Sequence, residues 1–318
     1  GVPEDVHVAL TGGLNFADGR GNLSGAIEHT KEGRLSASDR SYLRGRNYFR
    51  LVRNPDDPSS VDDPSVPDFV ALNDIRYFDS SREGGIDVDF DGVPDLRPNG
   101  APYEIPLFIE PFLSQGGSGT LNADYIGDLK SKDQRTVASA FMHYDINDAA
   151  RFFAELKFAH SKSFGYSQPT FDYYMYMTPD NPFMPAAIAS SVIPGIGEAV
   201  FGDPSVPDGV LLNRDNFDLG VRAERVKRDT IRSVVGFDGD INEYLGYEVS
   251  YTYGQTRVDN LAINNRYNDR FFAALDVVVD PATGQPTCRS NLDPAALPFQ
   301  PFASSGYDYS SGVLSFTP

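Results

Sequence analysis

The residues with the plainest chemical potential are the acids of Asp87-Val-Asp-Phe-Asp-Gly-Val-Pro-Asp95. Read as D-x-D-x-D-G-x-x-D, the run matches the opening positions of a calcium loop. Carboxylates at Asp87, Asp89, Asp91 and Asp95, with the Val93 carbonyl, suit a hard cation that takes about 6–8 oxygens, and Gly92 stands where such a loop turns sharply. Where an EF-hand carries its closing bidentate Glu, this chain has Pro98, which excludes an ordinary EF-hand. The expectation is calcium on Asp87, Asp89, Asp91, Val93 and Asp95, with an unmetallated acidic turn as the alternative.

Nothing else resembles a reaction centre, and the chain is not expected to be an enzyme. His7, His29, His143 and His160 fall in expected strands without metal-ligand spacing. No Gly-x-Ser-x-Gly or Cys/His pairing is present. Gly116-Gly-Ser-Gly119 lacks the strand and helix that a phosphate loop needs, and reads as a flexible loop. The aromatic run Phe171-Asp-Tyr-Tyr-Met-Tyr-Met177 could stack on a sugar or a siderophore; packing within a strand and its loop is the preferred reading. Cys288 is the lone cysteine, and in a membrane or secreted protein it implies a free thiol or a partner outside this stretch. The chain starts at Gly1 without Met and stops at Pro318 in a polar stretch, so it is expected to be cut at both ends, which favours the missing partner.

Composition narrows the setting. The 318 residues allow one large β domain or two ordinary ones. With 40% apolar residues and a mean hydropathy of −0.34, no window approaches the length of a transmembrane helix. Barrel strands escape that criterion, because half their residues face a polar lumen. The net charge of −18 argues against a nucleic-acid partner. Much of the acid lies in two runs, one through Asp56, Asp57, Asp62, Asp63 and Asp68 and the other from Asp87 to Asp95, which read as solvated loops.

The elements that must position these groups are three hairpins of alternating apolar and polar residues. The first spans about 6–31 and turns at Asp18-Gly19, a strong hairpin signal. The second spans about 135–163 around Asn147-Asp148. Its return strand alternates cleanly through Phe152, Ala154, Leu156 and Phe158, whereas its outbound strand is apolar on both parities. The third spans about 229–258, with Tyr247, Val249, Tyr251 and Tyr253 on one parity. Tyrosines with one apolar side and one wet tip suit an interfacial girdle. The connections, about 32–134, 164–228 and 260–318, are far longer than loops in compact domains and are expected to be functional. Short turns at one end and long loops at the other are the asymmetry of a bacterial outer-membrane barrel. Within the last loop, Asn268 to Val279 reads as a short amphipathic helix capped by Asn268 and stopped by Pro281, with a stripe of Phe271, Phe272, Leu275 and Val279.

Several segments then resemble the barrel of TonB-dependent outer-membrane receptors of sphingomonad and caulobacter type. They are Leu14-Asn-Phe-Ala-Asp-Gly-Arg-Gly-Asn22, Tyr125-Ile-Gly-Asp128, Ser167-Gln-Pro-Thr-Phe-Asp172 and Asn213-Arg-Asp-Asn-Phe-Asp-Leu219. To these add Glu248-Val-Ser-Tyr-Thr-Tyr-Gly-Gln255, Asn264-Asn-Arg-Tyr-Asn-Asp-Arg-Phe-Phe-Ala273, Asp280-Pro-Ala-Thr-Gly284 and Cys288-Arg-Ser-Asn-Leu-Asp293. The acidic loop is similar to the short calcium loops of thrombospondin type 3 and dockerin repeats. The receptor resemblance covers nearly the whole chain in texture and carries no catalytic signature. It implies an all-β fold: an antiparallel up-and-down transmembrane barrel segment of about six strands, with long extracellular loops containing a short helix. It also implies location in the bacterial cell outer membrane, contact with its lipid, and capture of a scarce siderophore, cofactor or oligosaccharide for import. The family's N-terminal plug and TonB box are not found in this sequence, so coupling to TonB is expected through a plug of the parent protein. Six strands cannot close such a barrel, leaving two unpaired edges. The family further implies a second loop cysteine downstream of Cys288. Two other readings stay open: a soluble or surface β protein binding calcium or glycan, and a passive porin.

Overall fold

A computed structural model describes residues 4–57, 65–109 and 112–292. The chain divides into two compact units, one of residues 1–39, 127–167 and 222–263, the other of residues 40–126, 168–221 and 264–318.

Six long strands run Val6–Phe16, Gly21–Glu32, Lys132–Asn147, Ala150–Met177, Val210–Asn242 and Leu245–Ile263, the first to sixth below; they make the first unit, except that residues 168–177 of the fourth and 210–221 of the fifth belong to the second. They lie side by side in chain order, and every registered pairing along that path is antiparallel. The sheet is open, with the first and sixth strands at its edges. Its tight turns follow from local chemistry. Ala17 and Asp18 both take positive φ (54° and 57°) and Gly19 follows at 89°, closed by hydrogen bonds from the Gly19 and Arg20 N–H groups to the Phe16 and Ala17 carbonyls. Gly21 is required for space, since a Cβ there would strike the Phe16 ring; that ring instead crosses the glycine to stack on Tyr144 at 6.0 Å. The second and third hairpins outrun their expected limits of 135–163 and 229–258. The aromatic run Phe171–Met177 is the end of the fourth strand, as preferred above.

The strand count exceeds the six expected, with seventeen strands among the described residues. The extra ones lie mostly in the stretches expected as loops. In the second unit, Thr120–Leu121, Ile75–Tyr77, Leu113–Gln115 and Leu107–Ile109 make a small sheet in that order, and Phe49–Arg53 pairs with Phe69–Asn73. Val52, Ile75, Ile109 and Leu113 form a core there. Strands of two to five residues complete too few periods for alternation to reveal them. Gly116–Gly119, expected as a flexible loop, is the tight link inside this sheet. A Cβ at Gly119 would overlap the Tyr77 carbonyl oxygen.

The expected helix is shorter than its stripe suggested. It runs Asn268–Leu275, with Tyr267 rather than Asn268 in the cap position. Val277–Val279 leaves it as a strand paired with Pro286–Cys288, because three consecutive β-branched residues favour extended backbone. Val279 is accordingly exposed, outside the expected stripe. Cys288 is buried in that two-stranded ladder. Asp62 and Asp63 of the first acidic run, and the last loop beyond Leu292, lie outside the described residues.

The glycines make a direct contrast. Gly119→Ala is expected to destabilise the chain by about 1–3 kcal/mol through overpacking. Gly12→Ala, with nothing within 4 Å of its added methyl, is expected to be nearly neutral. Urea unfolding midpoints of the two variants check this.

Candidate functional site

The acidic loop grows from a buried strand in the second unit. Gly85–Asp87 pairs antiparallel with residues 211–213 of the fifth strand, and Ile86 packs with Met184, Ile188 and Val210. Asp87 therefore enters the loop fully buried. The chain then folds back: the Asp95 N–H donates to the Ile86 carbonyl at 2.7 Å, and the Ile86 N–H donates to Leu96 at 2.8 Å.

Between these points the carboxylates hold the backbone. Asp87 accepts from the N–H groups of Phe90 (2.6 Å) and Gly92 (2.8 Å), and Asp95 accepts from Val88 (2.9 Å). Gly92 takes φ 91°, the role read from the sequence, while Phe90 takes φ 66° with its ring against Tyr176 and Phe201. One oxygen each of Asp87, Asp89 and Asp95 can be chosen so that all three lie within 4.8 Å, an arrangement that could hold a metal ion. Asp91 stands outside that group, its carboxylate accepting from the half-buried Val93 N–H at 2.8 Å. Burial pushes the Asp87 carboxyl up to about 6; the Gly92 and Phe90 donors oppose the rise, and the charges of Asp91 and Asp95 add to it. Burial also raises Asp95. Crowded, partly dehydrated carboxylates are the groups whose charge a cation relieves.

A second polar cluster in the same unit was not read from the sequence. Ser80 donates its hydroxyl to Asp215 at 2.8 Å, the Asp215 N–H donates to the Ser81 carbonyl at 2.9 Å, and Tyr103 donates to the Ser80 carbonyl at 3.0 Å. Asn213 donates its amide to the Asp79 carbonyl at 2.8 Å and accepts from the Tyr174 N–H. One carboxylate oxygen of Asp79, one of Asp215 and the Tyr125 hydroxyl are buried without a hydrogen-bond partner among the described residues. Burial pushes Asp79 up to about 6, with the Asp215 charge acting in the same sense; burial, then Asp215, pushes Tyr125 well up. The available signal was Asn213-Arg-Asp-Asn216, polar on both parities inside a strand and so in need of polar partners on both faces.

In the first unit the site is a surface. The strand registers place Val8, Leu10 and Leu14 beside Leu23 and Ile27, then Ala138, Ala140 and Met142, then Phe152, Leu156 and Phe158. The Phe152–Phe237 ring contact carries the same face onto the fifth strand, and Val235 and Phe237 stand opposite Tyr251 and Val249. Phe152, Leu156, Phe158, Tyr247, Val249 and Tyr251 thus share one face of one sheet. The face is uncovered: Leu10 is 71% exposed, Val249 68% and Tyr251 67%. The poor alternation of the third strand resolves here, since Ala138, Ala140 and Met142 take this face while Val137 and Phe141 take the other. That other face carries Arg135 on Glu28 (3.4 Å), Arg232 on Glu155 (3.2 Å), and Arg151 on Asp238. The four histidines remain dispersed along the strands, His7 and His29 on threonines and His160 on Asp229.

No protein-family model, curated protein or solved structure matches this chain.

The buried acid sets a pH dependence. Asp79, raised from 3.8 to about 6, holds its proton more tightly folded than unfolded. Its contribution is therefore fully favourable below about pH 4, lost as pH rises through 6, and absent above. Asp79→Asn should match the parent near pH 4 and exceed it at neutral pH by about 1–2 kcal/mol after solvent screening. Urea midpoints at both pH values measure the difference.

Proposed function

We propose that the six long strands form part of the wall of a β-barrel in a bacterial outer membrane. The protein then acts as a TonB-dependent receptor that captures a scarce siderophore, cofactor or oligosaccharide and admits it through the barrel. Coupling to TonB runs through a plug domain of the parent protein. The observation that carries this reading is the uncovered apolar face. A soluble sheet protein buries such a face, whereas a barrel strand presents it to lipid. The first strand, 11 residues long, extends about 33 Å at about 3.3 Å per step; tilted by about 40°, it stands about 25 Å tall, the height of an outer-membrane apolar band. The Phe16–Tyr144 stack with Arg20 above it, and Tyr247, supply an aromatic rim at the short-turn end. The paired charges of the opposite face suit a wet lumen.

The long connections carry small sheets and a core of their own, which favours solute capture over the passive passage of a porin. Within them calcium on Asp87, Asp89 and Asp95 braces the acidic loop. The soluble reading has to leave Leu10, Val249 and Tyr251 in water.

The absence of tryptophan makes single-Trp variants a clean probe. In lipid, Leu156→Trp and Val249→Trp are expected to emit blue-shifted fluorescence and to be quenched by brominated acyl chains, while Ser250→Trp is not. Equal quenching at all three sites would sink the membrane reading. For the loop, calcium titration is expected to give saturable heat at up to millimolar concentration. Asp95→Asn should weaken binding about tenfold or more, the loss of a charged ligand, and Asp91→Asn much less.

A further inference from the structure

The cations of this acidic chain are not used alike. On the polar face Arg135, Arg151 and Arg232 are each matched by a carboxylate. Lys132, Lys162, Arg225 and Lys227 instead wall one cavity of about 320 Å³ whose lining contains no acid. Among the described residues none of the four forms an ion pair with a carboxylate within 4 Å. Across the fifth and sixth strands Lys227 stands opposite Asp259, which is paired with Arg257.

Register fixes which face they occupy. Lys132 stands opposite Phe164, and Gln134 opposite both Lys162 and Lys31. Lys162 shares the parity of Phe158, and Lys227 that of Ile231, each four residues further along its strand, or about 13 Å. Arg225 lies over the Phe164 ring at 5.9 Å. The four cations therefore continue the apolar face, beyond a single row of Thr136, His160 and Asp229, at the end away from the short turns. An apolar band that ends in unpaired cations is complementary to a lipid whose acyl chains end in an anionic phosphate. In such a lipid layer, lysine stems can lie along apolar surface while their ammonium groups reach the headgroups.

We infer that this basic rim is a binding site for the phosphate of acidic membrane lipids, an inference that rests on the membrane reading above. The rim takes the phosphate at its cations and leaves the acyl chains against Phe158 and Ile231. It marks one edge of the bilayer, and it anchors a chain whose net charge of −18 would otherwise be repelled by an anionic surface.

The test compares spin-labelled phosphatidic acid with spin-labelled phosphatidylcholine in vesicles containing the full chain, reading the motionally restricted fraction by electron paramagnetic resonance. The parent is expected to prefer phosphatidic acid about fivefold or more, and high salt should weaken that preference. In the quadruple variant Lys132→Gln, Lys162→Gln, Arg225→Gln, Lys227→Gln the preference should fall to near one. It should persist in Arg135→Gln, Lys157→Gln on the opposite face. If the quadruple variant does not fold, Lys162→Gln, Lys227→Gln should lose about half of the preference. Restricted lipid without selectivity, or selectivity unchanged by either rim variant, would overturn this site and leave the membrane reading intact. No restricted lipid of either kind would overturn both.

Discussion

One constraint governs this protein: the six long strands of its main sheet carry an apolar face that no described element covers. Leaving a large apolar side chain in water forgoes about 1.5–3 kcal/mol of burial. Val8, Leu10, Leu14, Ile27, Leu156, Phe158, Val235, Phe237, Val249 and Tyr251 are all exposed on that face. Together they forgo burial on the order of 10 kcal/mol or more, comparable with the whole net stability of an ordinary domain, about 5–15 kcal/mol. Hydrocarbon in contact with the face removes the penalty. The same medium makes open edges costly, since an unpaired backbone group there loses several kcal/mol. On the proposed membrane reading, the first and sixth strands, unpaired on their outer sides, would need further strands beside them.

The opposite face obeys the complementary rule. It carries three ion pairs, Glu28 with Arg135, Glu155 with Arg232 and Asp238 with Arg151, and glycine admits the large ring between them: a Cβ at Gly236 would strike Phe153. In the second unit burial is ordinary and polarity is the exception. Asp87 is fixed by backbone donors, and Asp79 and Asp215 keep oxygens without hydrogen-bond partners among the described residues. Acids buried at such cost are where solute or cation chemistry would be gained.

How much of this was legible in the sequence follows from range. The hairpins could be read because alternation and turn chemistry are local; the partners of Leu14 and Val235, for example, are Leu23 and Tyr251, in the neighbouring strand of the same hairpin. Alternation grouped Phe152 with Leu156 and Phe158, and Val249 with Tyr247 and Tyr251, each within its own strand, before any pairing was known. The small sheets were hidden because Ile75–Tyr77 or Thr120–Leu121 is too short to show a period. Asp215 was hidden because its partner Ser80 lies 135 residues away. The acidic loop was half legible: spacing grouped Asp87, Asp89 and Asp95, whose oxygens do converge, but nothing in it revealed that Asp91 would turn to the Val93 N–H. Val279 misled because its position fits a helical stripe while its type, in a run of three valines, fits a strand.

The uncovered face is tested most directly by polarised infrared spectroscopy of the chain in oriented bilayers under deuterium exchange. The account predicts an amide signal from strands tilted about 35–45° from the membrane normal, with a fraction of amides that resists exchange. A signal without orientation, or one that exchanges fully and washes from the bilayer, would contradict it.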